Sequence, residues 1–281
     1  MTEPHKPVVA PMLASNGSMT DSPDLADADA AVPPSLAWDV LTRAVLEADR
    51  FEYTPPPPPP ARDVWLWVRS TVPVKTIIDI GANTGDYAEF LDRFFQPAAI
   101  YAFEPLTSCQ PRLQQLAERL GHMQVFQIAL DDHEGEETFW ENDYGPSSSL
   151  LHVSDIHKQA FPHTENESQA TAKVARLDDI LDVSTLGRDI LIKIDVQGVE
   201  DRVIRGGRAV FSAAEMVLIE MSFLPMYEQQ PIFDEINDLL RSCGLRLAGV
   251  KNQIEDPATG QPLFVHCFYR RVADASAGPG A

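Results

Sequence analysis

Short apolar runs alternate with helical segments between residues 75 and 270, and this alternation restricts the fold more than any other feature of the sequence. The apolar runs predict strands at residues 75–80, 99–103, 123–129, 190–195, 215–222, 244–250 and 262–270. Helical spacing of apolar residues predicts helices at residues 62–70, 84–95, 108–120, 199–212 and 231–242. Strands that alternate with helices form a mainly parallel α/β sheet with helices on both faces. No helix separates the last two strands, so we expect an antiparallel pair at one edge.

The segments that flank this alternation differ from it in composition. Residues 1–34 are rich in Pro, Ala, Ser and Asp, which predicts a disordered tail, and we expect a second disordered tail at residues 273–281. Residues 35–61 combine an amphipathic helix with a run of prolines that forms a stiff spacer. This helix could dock on the main domain or on a second copy of the chain in a homodimer. The main domain is predicted to span residues 62–272.

The charge of the chain restricts its partners. The formal net charge is −20 and the pI is about 4.6, which argues against nucleic acid and anionic membranes because both attract clusters of Lys and Arg. The three cysteines are far apart in the sequence, which disfavours a disulfide framework or a zinc site. No window approaches the ~18 apolar residues of a membrane span. We therefore expect a cytoplasmic protein, and the charge is compatible with a neutral or cationic ligand.

The sequence KTIIDIGANTG at residues 75–85 ends a predicted strand at Asp79 and turns at Gly81 and Gly85. Ligands of doubly wound sheets bind at the carboxyl ends of strands, beside such a turn. The turn lacks the Gly-Lys pair of a phosphate-binding loop. It also departs from the dinucleotide pattern G-x-G-x-x-G, because Asn83 and Asp86 replace its second and third glycines. S-adenosyl-L-methionine carries a sulfonium cation and no phosphate, so it suits this acidic turn best.

Two further acids follow the next predicted strands. Glu104 ends the second strand, where a carboxylate can accept hydrogen bonds from both ribose hydroxyls, and Asp131 follows the third strand, where an adenine contact is expected. The predicted cofactor-binding residues are therefore Asp79, Gly81, Asn83, Gly85, Glu104 and Asp131.

Candidate catalytic residues follow the fourth and fifth predicted strands. The sequence KIDVQGVE at residues 193–200 places Asp195 at a strand end, and Glu220 ends the next strand. Group transfer from such a cofactor requires alignment of the reactants and is helped by a general base or a metal ion. Asp195 is the first candidate for the base and Glu220 the second. Both could instead bind a divalent cation such as Mg²⁺, with Gln197 as a further oxygen ligand.

Residues 131–189 interrupt the alternation with a short predicted strand (ETFWE), a serine-rich loop and a longer polar stretch. The hydroxyls of Ser148 and Ser149 could contact the acceptor substrate, as could Gln197 and Tyr227. A histidine near this loop, His152 or His157, is an alternative base.

The motifs together resemble the FkbM family of S-adenosylmethionine-dependent methyltransferases from about Thr76 to Arg270. The resemblance rests on DIGANTG (79–85), AFEP (102–105), SSSLL (147–151), the V-x-x-LDD segment (174–179), KIDVQGVE (193–200) and IEMSFLPMYE (219–228). It implies a Rossmann-like class I methyltransferase fold with seven strands, and O-methylation of a hydroxyl in natural product biosynthesis or on a glycan. His266 departs from the pattern, because similar proteins often carry an Asp there.

Two alternatives to this enzyme remain open at the level of sequence. One is an NAD-dependent oxidoreductase or epimerase, which Asn83 and Asp86 disfavour. The other is a non-catalytic partner protein with a methyltransferase fold, which the intact DIGANTG turn, Glu104 and Asp195 disfavour.

Overall fold

The computed structural model describes residues 64–272. The predictions for the two tails, the amphipathic helix, the proline spacer and the homodimer fall on residues outside this range and stay predictions. Within residues 64–272, every helix is too short or too polar to cross a lipid bilayer.

Helices and strands alternate along most of the described chain. The first part contains α1 (Val64–Thr71), β1 (Thr76–Ile80), α2 (Asp86–Phe95), β2 (Ala99–Phe103), α3 (Gln110–Leu120) and β3 (Met123–Phe126). The middle part contains β4 (Ala129–Leu130), β5 (Gly135–Asn142), α4 (Asp155–Ala160), β6 (Glu167–Ala175) and α5 (Leu177–Ile180). The last part contains β7 (Ile190–Ile194), α6 (Glu200–Gly206), α7 (Arg208–Ala213), β8 (Met216–Ser222), α8 (Phe233–Ser242), β9 (Leu245–Glu255) and β10 (Pro262–Arg271).

The main sheet has seven strands in the order β3-β2-β1-β7-β8-β10-β9. The strands from β3 to β8 are parallel, whereas β10 is antiparallel to both β8 and β9. The expected α/β class I methyltransferase fold and its antiparallel edge are therefore confirmed. The strand order reverses between β1 and β7, so the carboxyl ends of these two strands border the crevice in which ligands of such sheets bind.

Both faces of the central strands are covered. Ile77, Leu191 and Met216 belong to the apolar core on one face, and Ile78 and Ile192 belong to the core on the other. This two-sided burial explains why the strands appear in the sequence as nearly continuous apolar runs. Side chains two residues apart share a face of a strand. The face that carries Ile77 therefore also carries Asp79 and becomes polar toward the carboxyl end of β1.

A second sheet, with the order β4-β6-β5, occupies the insertion. Its strand β6 was not predicted, because ESQATAKVA buries only Ala172 and Val174 and leaves its other side chains at least partly exposed. Strand β5 pairs antiparallel with β6 from Gly135 to Asn142. The single strand predicted at residues 123–129 is divided between β3 in the main sheet and β4 in this one.

Two other predicted elements have different bounds. The helix predicted at residues 199–212 is divided into α6 and α7 at Gly207, where a side chain would collide with Leu177. The strand predicted at residues 244–250 is longer, since β9 extends along the edge of the sheet to Glu255.

Candidate active site

The turn after β1 depends on two glycines. Gly81 has a φ of +73° and Gly85 has a φ of +84°, both in the left-handed region that favours glycine. A Cβ atom at Gly81 would also collide with the backbone carbonyl of Asp195, the residue that follows β7. The turn therefore lies directly against the end of β7. Helix α2 begins after Gly85, so its unpaired first N–H groups border the same crevice.

Glu104 is buried at the end of β2 and joins two of the predicted cofactor segments. Its Oε2 accepts a hydrogen bond from the backbone N–H of Asn83 at 2.7 Å, and its Oε1 accepts one from the N–H of Leu106 at 2.9 Å. Burial raises the pKa of Glu104, and the two backbone donors partly oppose this rise. Each oxygen of a carboxylate has a second lone pair. Glu104 can therefore hold the turn and still accept hydrogen bonds from a ligand.

Asp79 lies beneath the turn and is fully buried. It pairs with Lys193 of β7, whose Nζ lies 3.2 Å from Asp79 Oδ1 and donates a hydrogen bond to the carbonyl of Gly81 at 2.5 Å. Burial raises the pKa of Asp79 despite the opposing effect of Lys193. Burial lowers the pKa of Lys193, but the carboxylates of Asp79 and Asp195 outweigh it and raise that pKa. This pair supports the glycine turn from the sheet side, and direct contact of Asp79 with a cofactor stays a prediction.

Asp131 follows β4 and is also fully buried. Its Oδ1 accepts a hydrogen bond from the N–H of Asp132 at 2.6 Å, and its Oδ2 lies 3.5 Å from the guanidinium of Arg202. Burial raises the pKa of Asp131, whereas the bond from Asp132 and the charge of Arg202 lower it. Its contact with adenine stays a prediction.

The two candidate catalytic acids are brought together with His266. Ile194 of β7 pairs with Ile219 of β8, so Asp195 and Glu220 follow one residue later on neighbouring strands. His266 of β10 lies opposite Glu220, and its Nε2 is 3.6 Å from Glu220 Oε2. The nearest ligand atoms of these three residues all lie within 4.8 Å of one another. Burial, with the nearby carboxylates of Asp195 and Glu200, raises the pKa of Glu220 well above its ordinary value.

The predicted substrate residues form a hydrogen-bonded chain that ends at Asp195. The hydroxyl of Tyr227 donates to Gln197 Oε1 at 2.6 Å, and Gln197 Nε2 donates to Asp195 Oδ1. Burial, together with the charge of Glu220, raises the pKa of Tyr227, so its hydroxyl keeps the proton that it donates. Gln197 is held in the left-handed region, with a φ of +61°. The chain therefore fixes the orientation of the Asp195 carboxylate.

The serine hydroxyls are occupied by bonds within the protein. Ser149 is buried, and its Oγ donates to the carbonyl of Gln197 at 2.6 Å. Ser148 Oγ accepts from the N–H of Asn142 at 3.0 Å. The first bond ties the loop to the segment after β7 and the second ties it to the end of β5. Contact of either hydroxyl with a substrate stays a prediction.

The histidines near the serine-rich loop contact aromatic rings. His157 is buried against the ring of Tyr227, with centroids 5.2 Å apart, and burial lowers its pKa to about 4. His152 stacks on Trp140, with centroids 3.5 Å apart. His157 is thus neutral at ordinary pH and packs behind the ring of Tyr227.

Comparison with known proteins identifies the family. The family model described as "Methyltransferase FkbM domain" matches residues 79–247, more than half of the chain. The chain belongs to the FkbM methyltransferase family. This membership confirms the resemblance inferred from the motifs, and it favours methyl transfer over the nicotinamide-dependent alternative.

Two relatives and one solved structure give the range of similarity. The 2-O-methyltransferase NoeI of Sinorhizobium fredii is 28% identical over 179 residues, which cover 62% of this chain and 74% of NoeI. Methyltransferase 1 of Beauveria bassiana is 26% identical over 184 residues, which cover 61% of this chain and 72% of that protein. The solved structure of methyltransferase FkbM from Methylobacillus flagellatus KT has a TM-score of 0.45 and 14% identity, and the match covers 69% of this chain and 44% of that one.

Three residues of this FkbM methyltransferase were not placed by the sequence. Lys193 is the first residue of KIDVQGVE, but its burial beneath the glycine turn depends on the pairing of β7 with β1. Glu200 is the first residue of α6, yet it is buried and accepts the N–H of Gly198 at 3.1 Å, and burial raises its pKa to about 7. His266 was noted only as a departure from the family pattern. Its position on a strand beside that of Glu220 was the one feature that could have indicated their proximity.

Proposed function

We propose that this methyltransferase transfers a methyl group from S-adenosyl-L-methionine to a hydroxyl oxygen of a small natural product or a sugar. One observation carries the proposal: the glycine turn, which Glu104 holds through Asn83, lies against the backbone of Asp195, whose carboxylate is oriented by Gln197. A hydroxyl acceptor is further supported by the similarity to NoeI, whose name states 2-O-methyl transfer.

The residues present fit such a cofactor. Glu104 offers lone pairs to the ribose hydroxyls, and the segment 81–85 contains no Lys or Arg that would await a phosphate. The absence of side chains at Gly81 and Gly85 lets the turn pack against the carbonyl of Asp195 and against Leu113 and Leu116 of α3. When bound, S-adenosylmethionine supplies an electrophilic methyl group. Asp131 would border the adenine.

Asp195 is the residue that we propose as the general base. One of its carboxylate oxygens accepts from Gln197, which leaves the other able to accept the proton of an acceptor hydroxyl. Lys193 lies close enough to Asp195 for its charge to be affected by that carboxylate, so the site contains a fixed cation beside the base. Positioning of both reactants can supply on the order of 7–11 kcal/mol of the acceleration.

The test is incubation of the full chain with methyl-labelled S-adenosylmethionine and a panel of sugars, oligosaccharides and hydroxylated natural products. Product masses that increase by one methyl group, with label on oxygen, are expected. Asp195→Asn should reduce the rate by about 10²–10⁴-fold, as for loss of a general base, whereas Asp234→Asn, at an exposed position in the first turn of α8, should not. Label on nitrogen or carbon would overturn the hydroxyl acceptor, and a near-normal rate for Asp195→Asn would overturn its role as base.

A further inference from the structure

We propose that Asp195, Glu220 and His266 bind one divalent transition-metal ion. The binding itself does not depend on the proposed reaction. The use of the ion to hold an acceptor hydroxyl rests on the proposed function, and Asp195 would then act as a metal ligand in place of a free general base.

The register of three strands creates the site. β8 lies between β7 and β10 in the sheet, so Asp195, Glu220 and His266 form a row across neighbouring strands on one face. Their ligand atoms lie within 4.8 Å of one another, and Glu220 Oε2 and His266 Nε2 are 3.6 Å apart. Ligands bound at about 2.0–2.2 Å from one ion lie roughly 3–4 Å from each other. The row therefore needs only small side-chain adjustments to surround an ion.

The imidazole of His266 lacks the partners that a structural histidine normally has. Its Nδ1 is buried and makes no hydrogen bond to any residue between 64 and 272. Its Nε2 faces Glu220 at a distance too long for a hydrogen bond. A cation between His266 and the two carboxylates would give Nε2 a ligand role in place of the missing hydrogen bond.

The local charges also favour a cation. Asp195 and Glu220 lie near the buried carboxyl group of Glu200, and all three influence one another electrostatically. The ammonium group of Lys193 is engaged by Asp79 and by the carbonyl of Gly81. A divalent ion between Asp195 and Glu220 would offset the repulsion between their carboxylates.

The donor set indicates the class of metal. Mg²⁺ and Ca²⁺ prefer oxygen ligands only, whereas imidazole suits Zn²⁺, Fe²⁺, Co²⁺ and Ni²⁺. One imidazole with two carboxylates therefore favours a transition metal over the Mg²⁺ that the acids alone suggest. Three protein ligands leave further positions open, and a hydroxyl bound at one of them would lose its proton more easily.

A second cluster, Asp131, Asp132 and His133, provides a contrast. Its ligand atoms are also within 4.8 Å of one another. However, both ring nitrogens of the exposed His133 already have partners, Asp132 at 3.3 Å and Glu137 at 3.1 Å. His133 therefore serves as the matched control for His266.

The test titrates the full chain, after removal of metals with EDTA, with Co²⁺ and Zn²⁺. Stoichiometry is measured by calorimetry and elemental analysis, and Co²⁺ coordination by visible absorption. We expect one tightly bound ion per chain, an affinity reduced at least tenfold in His266→Ala, and no change in His133→Ala. His266→Asp, which replaces nitrogen by oxygen, should shift the preference from Zn²⁺ toward Mg²⁺ and Mn²⁺. Zn²⁺ should raise the melting temperature of the wild type and not that of His266→Ala.

Absence of stoichiometric binding would overturn the proposal, as would His266→Ala and His266→Asp variants that bind Zn²⁺ as the wild type does. If His266→Ala does not fold, His266→Asp alone decides through its metal preference. Methyl transfer that persists at full rate in EDTA, with no bound metal, would reject the role of the ion in holding the acceptor hydroxyl and leave the proposed function intact. Stoichiometric metal binding without any methyl transfer from S-adenosylmethionine would support the metal site and overturn the proposed function.

Discussion

Replacement of Glu104 by glutamine tests the cofactor side of the site most directly. The side chain keeps its length, but the negative charge is lost, and an amide NH₂ group replaces one of the oxygens that accept from Asn83 and Leu106. A hydrogen bond to a charged group contributes about 1.5–3 kcal/mol. Loss of one such bond to a ligand hydroxyl corresponds to a rise in the dissociation constant of about 10–150-fold.

The same substitution affects folding, and the two effects must be measured separately. One of the two backbone N–H groups would face the amide NH₂ group, and an unpaired buried donor costs about 1–3 kcal/mol. Glu104→Ala would leave both donors unpaired, at about twice this cost. Because domains are typically stable by only 5–15 kcal/mol, glutamine is the safer variant, and we expect it to fold with a lower melting temperature.

Calorimetric titration with S-adenosylhomocysteine, at a temperature where thermal unfolding shows each variant to be folded, measures the effect. Glu118→Gln, an exposed glutamate on α3, is the matched control and should bind as the wild type does. A folded Glu104→Gln variant with an affinity within twofold of the wild type would show that Glu104 does not contact the ligand and acts only as a brace for the turn.

Three further substitutions test the scaffold around the site. Gly81→Ala should lower the free energy of unfolding by several kcal/mol, because its Cβ would collide with the carbonyl at the end of β7. Gly121 has a similar φ of +75° and nothing within 4 Å of the added Cβ, so Gly121→Ala should cost only about 1 kcal/mol. Chemical denaturation measures both costs. Equal costs at the two positions would mean that the close approach is unimportant. Tyr227→Phe removes the donor to Gln197, so we expect a lower kcat with little change in the KM for the cofactor; an unchanged kcat would exclude the positioning role. Burial, with the nearby charge of His163, lowers the pKa of His157 to about 4, so the unfolded chain gains a proton more readily, and stability should fall between pH 6.5 and pH 4 by about 1.4 kcal/mol per pH unit. His157→Phe should remove this pH dependence. If the wild type instead gained stability relative to the variant as the pH falls from 6.5 to 4, the assigned direction of the pKa shift would be wrong.

The fold and the glycine turn after β1 were predictable because their signals are local. Strands that are buried on both faces appear in the sequence as continuous apolar runs. The glycines of DIGANTG stand where the turn needs a positive φ and no side chain. The position of Glu104 followed from the same logic, since the carboxyl ends of parallel strands lie at one edge of the sheet. Strand β6 escaped prediction because little of it is buried, so its apolar pattern is weak.

The tertiary structure decided which side chains meet. The pairing of β7 with β1 places Lys193 beneath the glycine turn, and the antiparallel return of β10 beside β8 sets His266 opposite Glu220. Neither contact can be predicted from the local sequence, because strand order and register depend on packing between segments that are far apart in the chain. The sequence by itself determined the class of fold and the residues of the turn, and the register of the assembled sheet determined the cluster beside Asp195.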